Sequence, residues 1–280
     1  MSGKRADGGP ATDAQDGQDE GSLLDTSVAH PARVYDYWLG GKDNYAADRI
    51  AAEAAIAVRP TIVRDIRENR DFMRRAMAYL AAEGVRQFLD IGTGIPTEPN
   101  LHEVVQDIAP DARIVYVDND PVVLAHVRAL LVSTPEGETS YIQADLRDPG
   151  LILEEAARTL DFAQPTAVSL VSILQLIRDE EDPYEIVARL MGTVARGSYL
   201  VITHPASDIL SDLNAEIARR YNESVVTPAT LRTFDQVSRF FDGLELVDPG
   251  IVQCHRWYPR PGDPVDKYEV AGWGAVGRKL

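Results

Sequence analysis

Phe88-Leu89-Asp90-Ile91-Gly92-Thr93-Gly94-Ile95-Pro96 is an apolar strand that runs directly into a glycine loop, with a helix to follow. Glycine in such a loop lets the backbone approach a ligand with no Cβ in the way. Many tight turns contain Gly-x-Gly, so the pair acquires meaning only from what surrounds it. Downstream, short apolar runs (88–91, 114–117, 140–143, 167–174 and 199–203) alternate with amphipathic helices. That alternation predicts a parallel sheet built from strand–helix–strand units. Between the first two runs, Leu101, Val104, Val105 and Ile108 recur at helical spacing, and Asn100 with Glu103 reads as a capping box.

Three successive strands place an acid at their carboxyl ends, which is the edge where open α/β sheets bind ligands. Asp90 belongs to the first. The second, Ile114-Val115-Tyr116-Val117, ends in Asp118, followed by Asn119 and Asp120. Asp118 alone reads as a loop acid or a cap for the helix after Pro121; beside a glycine loop it can accept bonds from both hydroxyls of a ribose. The third, Tyr141-Ile142-Gln143-Ala144, ends in Asp145-Leu146. There the acid can accept an adenine amine and the Leu146 N–H can donate to a ring nitrogen, although a plain turn before Pro149 is the competing reading. A dinucleotide fingerprint wants a third glycine where this chain has Thr97, so a pyrophosphate is not provided for. A nucleoside without phosphate, such as S-adenosylmethionine, fits better.

The order Phe88 to Gly94, then Val117-Asp118, then Ala144-Asp145 resembles the class I S-adenosylmethionine-dependent methyltransferases. More narrowly, Val34-Tyr35-Asp36-Tyr37-Trp38-Leu39-Gly40-Gly41-Lys42-Asp43-Asn44, the run 87–97 and the ending Gly272-Trp273-Gly274-Ala275-Val276-Gly277-Arg278-Lys279 resemble an actinobacterial methyltransferase family first catalogued as a domain of unknown function. The resemblance spans about residues 27–280. It implies a Rossmann-like α/β fold with a seven-stranded, mostly parallel sheet, an antiparallel last strand and an N-terminal helical extension. It also implies S-adenosylmethionine as cofactor. Carried over by residue, Gly92 and Gly94 would line the cofactor, Asp118 would hold the ribose, Asp145 and Leu146 would face the adenine, and Asp90 would orient the loop or meet the amino group; Thr93 and Asn119 belong to the same cofactor-binding set. Ser172, after the fourth strand, joins that set. Pro96 departs from the general pattern by replacing a loop glycine and, with Pro99, delays the helix start to Asn100.

The N-terminal residues 1–26 lack aromatics and are rich in Gly, Asp and Gln, a composition expected to stay disordered. Residues 27–86 read as helices: one from Pro31 closed by Gly40, one from about Asn44, and one from about Pro60 that Gly84 stops. The domain proper is expected over 87–280, with helices near Asp208–Tyr221 and Phe234–Asp242 and final strands near Leu244–Val247 and Lys267–Val276. The Gly40-Gly41-Lys42 turn can present backbone N–H groups to an anion, or simply end a helix with Trp38 in the core. It is no P-loop, because Asp36 and Asp43 stand where glycine and Ser or Thr are required. Arg67, Arg70 and Arg74 form a stripe that can grip a carboxylate or make a salt-bridged outer face. Tyr37, Gln175 and His204 are the substrate-side candidates, His204 as a base or as an ordinary loop histidine.

The net charge of −16 repels phosphate backbones and anionic bilayers, so nucleic-acid and membrane partners are not expected. The single cysteine excludes an internal disulfide framework, and no apolar run nears the roughly 18 residues of a membrane span; the cytoplasm is the expected compartment. The scattered histidines give no zinc spacing, and no Gly-x-Ser-x-Gly elbow occurs. The expectation is a methyltransferase acting on a small molecule of unidentified chemistry. A non-catalytic S-adenosylmethionine or S-adenosylhomocysteine sensor is one alternative. An NAD-dependent dehydrogenase is another, opposed by the missing third glycine and the absence of a Tyr-x-x-x-Lys pair.

Overall fold

The computed structural model describes residues 25–280 apart from Leu131 and Val226. The expected disordered tail therefore lies almost wholly outside the described residues. Order begins with α1 (Pro31–Leu39), where Pro31 takes the first turn and Gly40, at φ +85°, closes the helix in the left-handed conformation that favours glycine. α2 (Ala46–Val58) follows, and the two are tied by Asp48, whose fully buried carboxylate pairs with Arg33 at 3.0 Å and accepts the His30 and Tyr45 N–H groups. α3 (Ile62–Ala82) runs for 21 residues and is stopped by Gly84 at φ +92°.

From there strands and helices alternate: β1 (Gln87–Ile91), α4 (Leu101–Gln106), β2 (Arg113–Asp118), α5 (Pro121–Leu130), β3 (Glu138–Gln143), α6 (Pro149–Ala156), β4 (Ala167–Val171), α7 (Pro183–Thr193) and β5 (Tyr199–Pro205). The Asn100/Glu103 capping box is present at the start of α4. α8 (Ser211–Asn222) and α9 (Phe234–Ser238) precede β6 (Leu244–Leu246), β7 (Val252–Gln253) and β8 (Gly272–Lys279). The sheet order is β3-β2-β1-β4-β5-β8-β6, with β1 to β5 parallel and β8 antiparallel to β5, β6 and β7.

Three expectations shift. The sheet has eight strands, because the two-residue β7 adds to the expected seven. The fourth strand ends at Val171, where Ser172 turns to φ +55° and a short 3₁₀ turn, Leu174–Leu176, continues the apolar run. Hydrophobicity alone does not reveal that break. The last strand starts at Gly272, later than Lys267, because its antiparallel partner β5 ends at Pro205, opposite Gly272.

Alternation along the strands feeds two cores. Leu89, Val115, Val168 and Leu200 face α6 and α7; Phe88, Ile114 and Val201 face α3 and α4. A third cluster joins Val34 and Trp38 of α1, Ala51, Ala52 and Ala55 of α2 and Ile62 of α3 to Ile217 and Tyr221 of α8. It forms a cap facing the carboxyl ends of the strands. Strand order reverses between β1 and β4, so the crevice under this cap opens at the topological switch point.

Candidate functional site

The glycine loop continues the β1–β2 ladder, with Gly92 and Thr93 donating to the Val117 carbonyl at 2.8 and 3.2 Å. Gly92 sits at φ +79° and Gly94 at φ +66°. A Cβ on Gly92 would lie 2.6 Å from Ile173 Cγ1, whereas one on Gly94 would meet nothing within 4 Å. The loop is thus closed on one side by Ile173 and open on the other. Asp118, nearly fully buried, accepts the Gly94 N–H at Oδ2 and the Asp120 N–H at Oδ1, both at 2.9 Å. Burial pushes its carboxyl up to about 6 against the pull of those two amides.

Asp145 accepts from Asn119 Nδ2 at 3.0 Å and from the Arg147 amide at 2.9 Å. Burial opposes its charge, yet these bonds and the Arg147 guanidinium hold its pKa below the usual value. Arg147 also reaches Glu181 and the Leu176 carbonyl, so it fastens the end of β3 to the turn after β4. Burial raises the pKa of Asp90, against the pull of the Ser169 hydroxyl and the Arg70 charge.

These groups line one side of a cavity of about 270 Å³. Asp90, Gly92, Thr93, Gly94, Asp118, Asn119, Asp145, Leu146 and Ser172, the nine residues expected around a cofactor, all border it. The opposite wall comes from the cap: Tyr35, Trp38, Ile62, Ile66, Ile217 and Tyr221. Trp38 and Tyr221 stack at 6.3 Å, and the Trp38 indole N–H donates to the Ala52 carbonyl, which joins α1, α2 and α8 over the cavity.

The substrate-side candidates are sorted by this geometry. Tyr37 does not border the cavity; its hydroxyl bonds Glu53 of α2. On α1 it lies about 100° from Trp38, and Tyr35, one turn before Trp38, faces the cavity instead. His204 borders the cavity but has no ring nitrogen to offer. Nδ1 lies 3.0 Å from the Pro205 carbonyl and Nε2 lies 2.8 Å from Arg232 Nη1, so the ring donates from Nδ1 and accepts at Nε2. Burial lowers its pKa to about 3, with the Arg232 charge adding to the effect. It is a structural link. Gln175 remains facing the cavity, its Nε2 donating to Ser172 O and Oγ at 2.8 and 3.1 Å.

Of the three arginines, only Arg70 reaches the cavity, donating to the Thr97 carbonyl at 2.9 Å, with its Nε buried and unpartnered. Arg74 pairs with Asp71 and bonds the Glu98 carbonyl, while Arg67 is exposed. The Gly40-Gly41 turn donates inward, to Tyr37 and Asp36 carbonyls, and a Cβ on Gly41 would overlap the Asp36 carboxylate. Its anion-binding reading is set aside, since both amides are spent on ending α1. Arg59, Asp65 and Asn69 also line the cavity. Periodicity marks α3 as amphipathic but does not say that its polar residues face a chamber. Among the described residues no group of three or more His, Cys, Asp or Glu side chains could hold a metal ion. No described helix is long and apolar enough to cross a membrane.

The described residues present a cradle suited to a nucleoside. Comparison with known proteins establishes the family. A DUF574 family protein from Streptomyces avermitilis is 47% identical, with a TM-score of 0.88 over 91% of this chain and 99% of its own. A candidate methyltransferase from Thermobifida fusca is 39% identical, with a TM-score of 0.83 over 91% of this chain and 96% of its own. The plantazolicin methyltransferase, solved with S-adenosylhomocysteine, shares the fold at 12% identity and a TM-score of 0.50, covering 89% of this chain and 96% of its own. No curated protein matches the sequence. The model of a family described as S-adenosyl methyltransferase matches residues 17–280, and the chain belongs to that family of S-adenosylmethionine-dependent methyltransferases.

Proposed function

We propose that the strand-end half of the cavity holds S-adenosylmethionine and that the cap half receives a small-molecule acceptor. The observation that carries this is the coupling of Asp118 to Gly94: a buried carboxylate braces a glycine loop whose outer side is open. In this reading Asp118, whose oxygens keep a lone pair each beyond their amide bonds, accepts the ribose hydroxyls. Asn119, Asp145 and Leu146 border the adenine, and Ser172 and Thr93 flank the middle of the ligand. Asp90 faces the ammonium and Arg70, with its unpartnered Nε, the carboxylate of the amino-acid end.

When bound, the cofactor supplies an electrophilic sulfonium methyl. The chain contributes placement: the glycine loop and Ile173 fix depth, and the cap shields the site from water. With both of its nitrogens bound, His204 does not serve as base there. The enclosure under α1, α3 and α8 suits a small molecule rather than a polymer, and the charge of −16 disfavours nucleic acid. Transfer is favoured over mere sensing because Trp38 lines the chamber wall and Tyr37 lies outside it, so neither occupies its middle. A reducing, cytoplasmic setting accords with the lone buried thiol of Cys254.

Calorimetric titration with S-adenosylmethionine, S-adenosylhomocysteine and NAD in parallel tests the assignment. Micromolar binding of the two sulfur nucleosides and none of NAD is expected. NAD binding in their place would overturn it.

A further inference from the structure

Gln175 Oε1 is buried in the wall of the cavity with no hydrogen-bond partner. Its orientation is not a free choice. The amide nitrogen donates to the Ser172 carbonyl at 2.8 Å and to Ser172 Oγ at 3.1 Å, and the carbonyl can only accept, so the side-chain oxygen is left on the other side. Ser172 itself stands at φ +55°, a strained conformation for a residue with a Cβ, at the end of β4. On the neighbouring strand, Thr203 Oγ1 is likewise buried and unpartnered, and the two strand ends are joined by the Ser172 N–H to Thr203 carbonyl bond at 3.3 Å. An unmet buried acceptor is destabilising, so its persistence beside a ligand chamber points to a donor that arrives with the ligand.

The cap contributes the apolar and aromatic side chains of Trp38, Ile62, Ile217 and Tyr221 to the same cavity. Of the ionised groups nearby, Arg59 pairs with Asp65 and Arg147 with Asp145 and Glu181, which leaves Arg70, assigned above to the cofactor carboxylate, without a paired acid. Two of the groups that could take a proton are engaged or inert: His204 is bound at both nitrogens, and burial holds the Cys254 thiol up at about 12. The third, His30, stands with Nδ1 3.2 Å from Asp120, and burial lowers its pKa. An alcohol would need a base before attack, whereas a neutral amine attacks through its lone pair while keeping an N–H to donate.

We propose, on the reading that this cavity is the methyl-transfer site, that the acceptor is an apolar neutral amine whose N–H is received by Gln175 Oε1. The nitrogen lone pair forms the new N–CH₃ bond as the S–CH₃ bond breaks. That bonding pair leaves on sulfur, giving the thioether S-adenosylhomocysteine. The resulting ammonium then loses its proton to solvent. Gln175 orients the lone pair toward the methyl and its carbonyl dipole meets the positive charge that develops on nitrogen.

The test loads the protein with S-adenosylhomocysteine and titrates three probes of one shape: 1-naphthylamine, 1-naphthol and 1-naphthoate. Expected is binding of the amine, no binding of the carboxylate, and N-methylated amine detected by mass spectrometry once S-adenosylmethionine replaces the product. Gln175→Leu should weaken amine binding about tenfold while S-adenosylhomocysteine affinity stays as in the unsubstituted protein. Should that variant misfold, Gln175→Met tests the same point with the side-chain length kept. Amine binding unchanged in a folded variant, preference for the carboxylate, O-methylation of the naphthol without N-methylation of the amine, or failure of every probe would overturn the inference. Failure of S-adenosylhomocysteine itself to bind would overturn the parent reading instead, which keeps the two distinguishable.

Discussion

Asp118 Oδ2 accepts the Gly94 N–H at 2.9 Å, so the acid that ends β2 and the loop that follows β1 form a single unit. Shape and charge at the ribose position are therefore coupled. Replacing Asp118 by Asn removes the charge and sets an amide N–H against a backbone N–H. Calorimetry should show S-adenosylmethionine binding weakened by about 1 to 3 kcal/mol.

The same carboxyl has its pKa raised to about 6. Protonation removes the charged acceptor, so cofactor affinity in the unsubstituted protein should fall as pH drops below about 6 and level off above it. The stability contribution has the opposite sense: a raised acid binds its proton more tightly when folded, so its ionisation opposes folding as pH rises from 3.8 to about 6. Titrations between about pH 5 and 8 would show the binding trend, and Asp118→Asn should flatten it.

Gly92 cannot carry a side chain. A Cβ there lies 2.6 Å from Ile173 Cγ1 and the residue sits at φ +79°. Gly92→Ala is expected to cost about 1 to 3 kcal/mol, read as a lowered melting temperature. Adding Ile173→Ala should recover the steric part only, because the backbone strain persists.

His204 remains neutral in the fold down to about pH 3 but titrates at 6.5 when unfolded. The unfolded chain then binds the extra proton between those values, so this group's stabilisation is full above pH 6.5 and declines as pH falls. At pH 5 the loss is about 2 kcal/mol. Urea unfolding at pH 7 and 5 should show a smaller drop for His204→Gln, whose amide oxygen can still accept from Arg232.

Arg70 is expected to hold the amino-acid end of the cofactor. Arg70→Met should weaken S-adenosylmethionine by about 1.5 to 3 kcal/mol and leave 5′-methylthioadenosine, which lacks that end, unaffected. Equal weakening of both ligands would place Arg70 elsewhere.

Asp48 is fully buried against Arg33. Asp48→Ala leaves that guanidinium without its counter-charge and should destabilise the cap by about 3 to 5 kcal/mol. Faster limited proteolysis within residues 25–58 would report it.

Much of this molecule was legible in one dimension. The strand–glycine–helix order from Phe88 and the acids Asp90, Asp118 and Asp145 at strand ends follow from local rules: apolar runs make strands, glycine permits positive φ, and parallel strands in alternation with helices gather their carboxyl ends at one edge. Those rules hold whatever packs above. The apolar run 167–174 does not itself show a 3₁₀ turn following β4, because turn and strand are equally hydrophobic, and the start of β8 is not legible because it is set by the end of β5.

The cap side was decided only by tertiary structure. Which of Tyr35 and Tyr37, or of Arg67, Arg70 and Arg74, enters the cavity depends on how α1 and α3 are rotated against α8 and the sheet. No residue-by-residue preference encodes that rotation. Likewise His204 and Gln175 look like equal candidates in the chain, and differ because Arg232, 28 residues further on, fills the hydrogen-bonding capacity of one while Ser172 turns the other toward the chamber. Hydrogen-bond partners distant in sequence determine which polar group is spent and which is free, and that assignment exists only once the chain has folded.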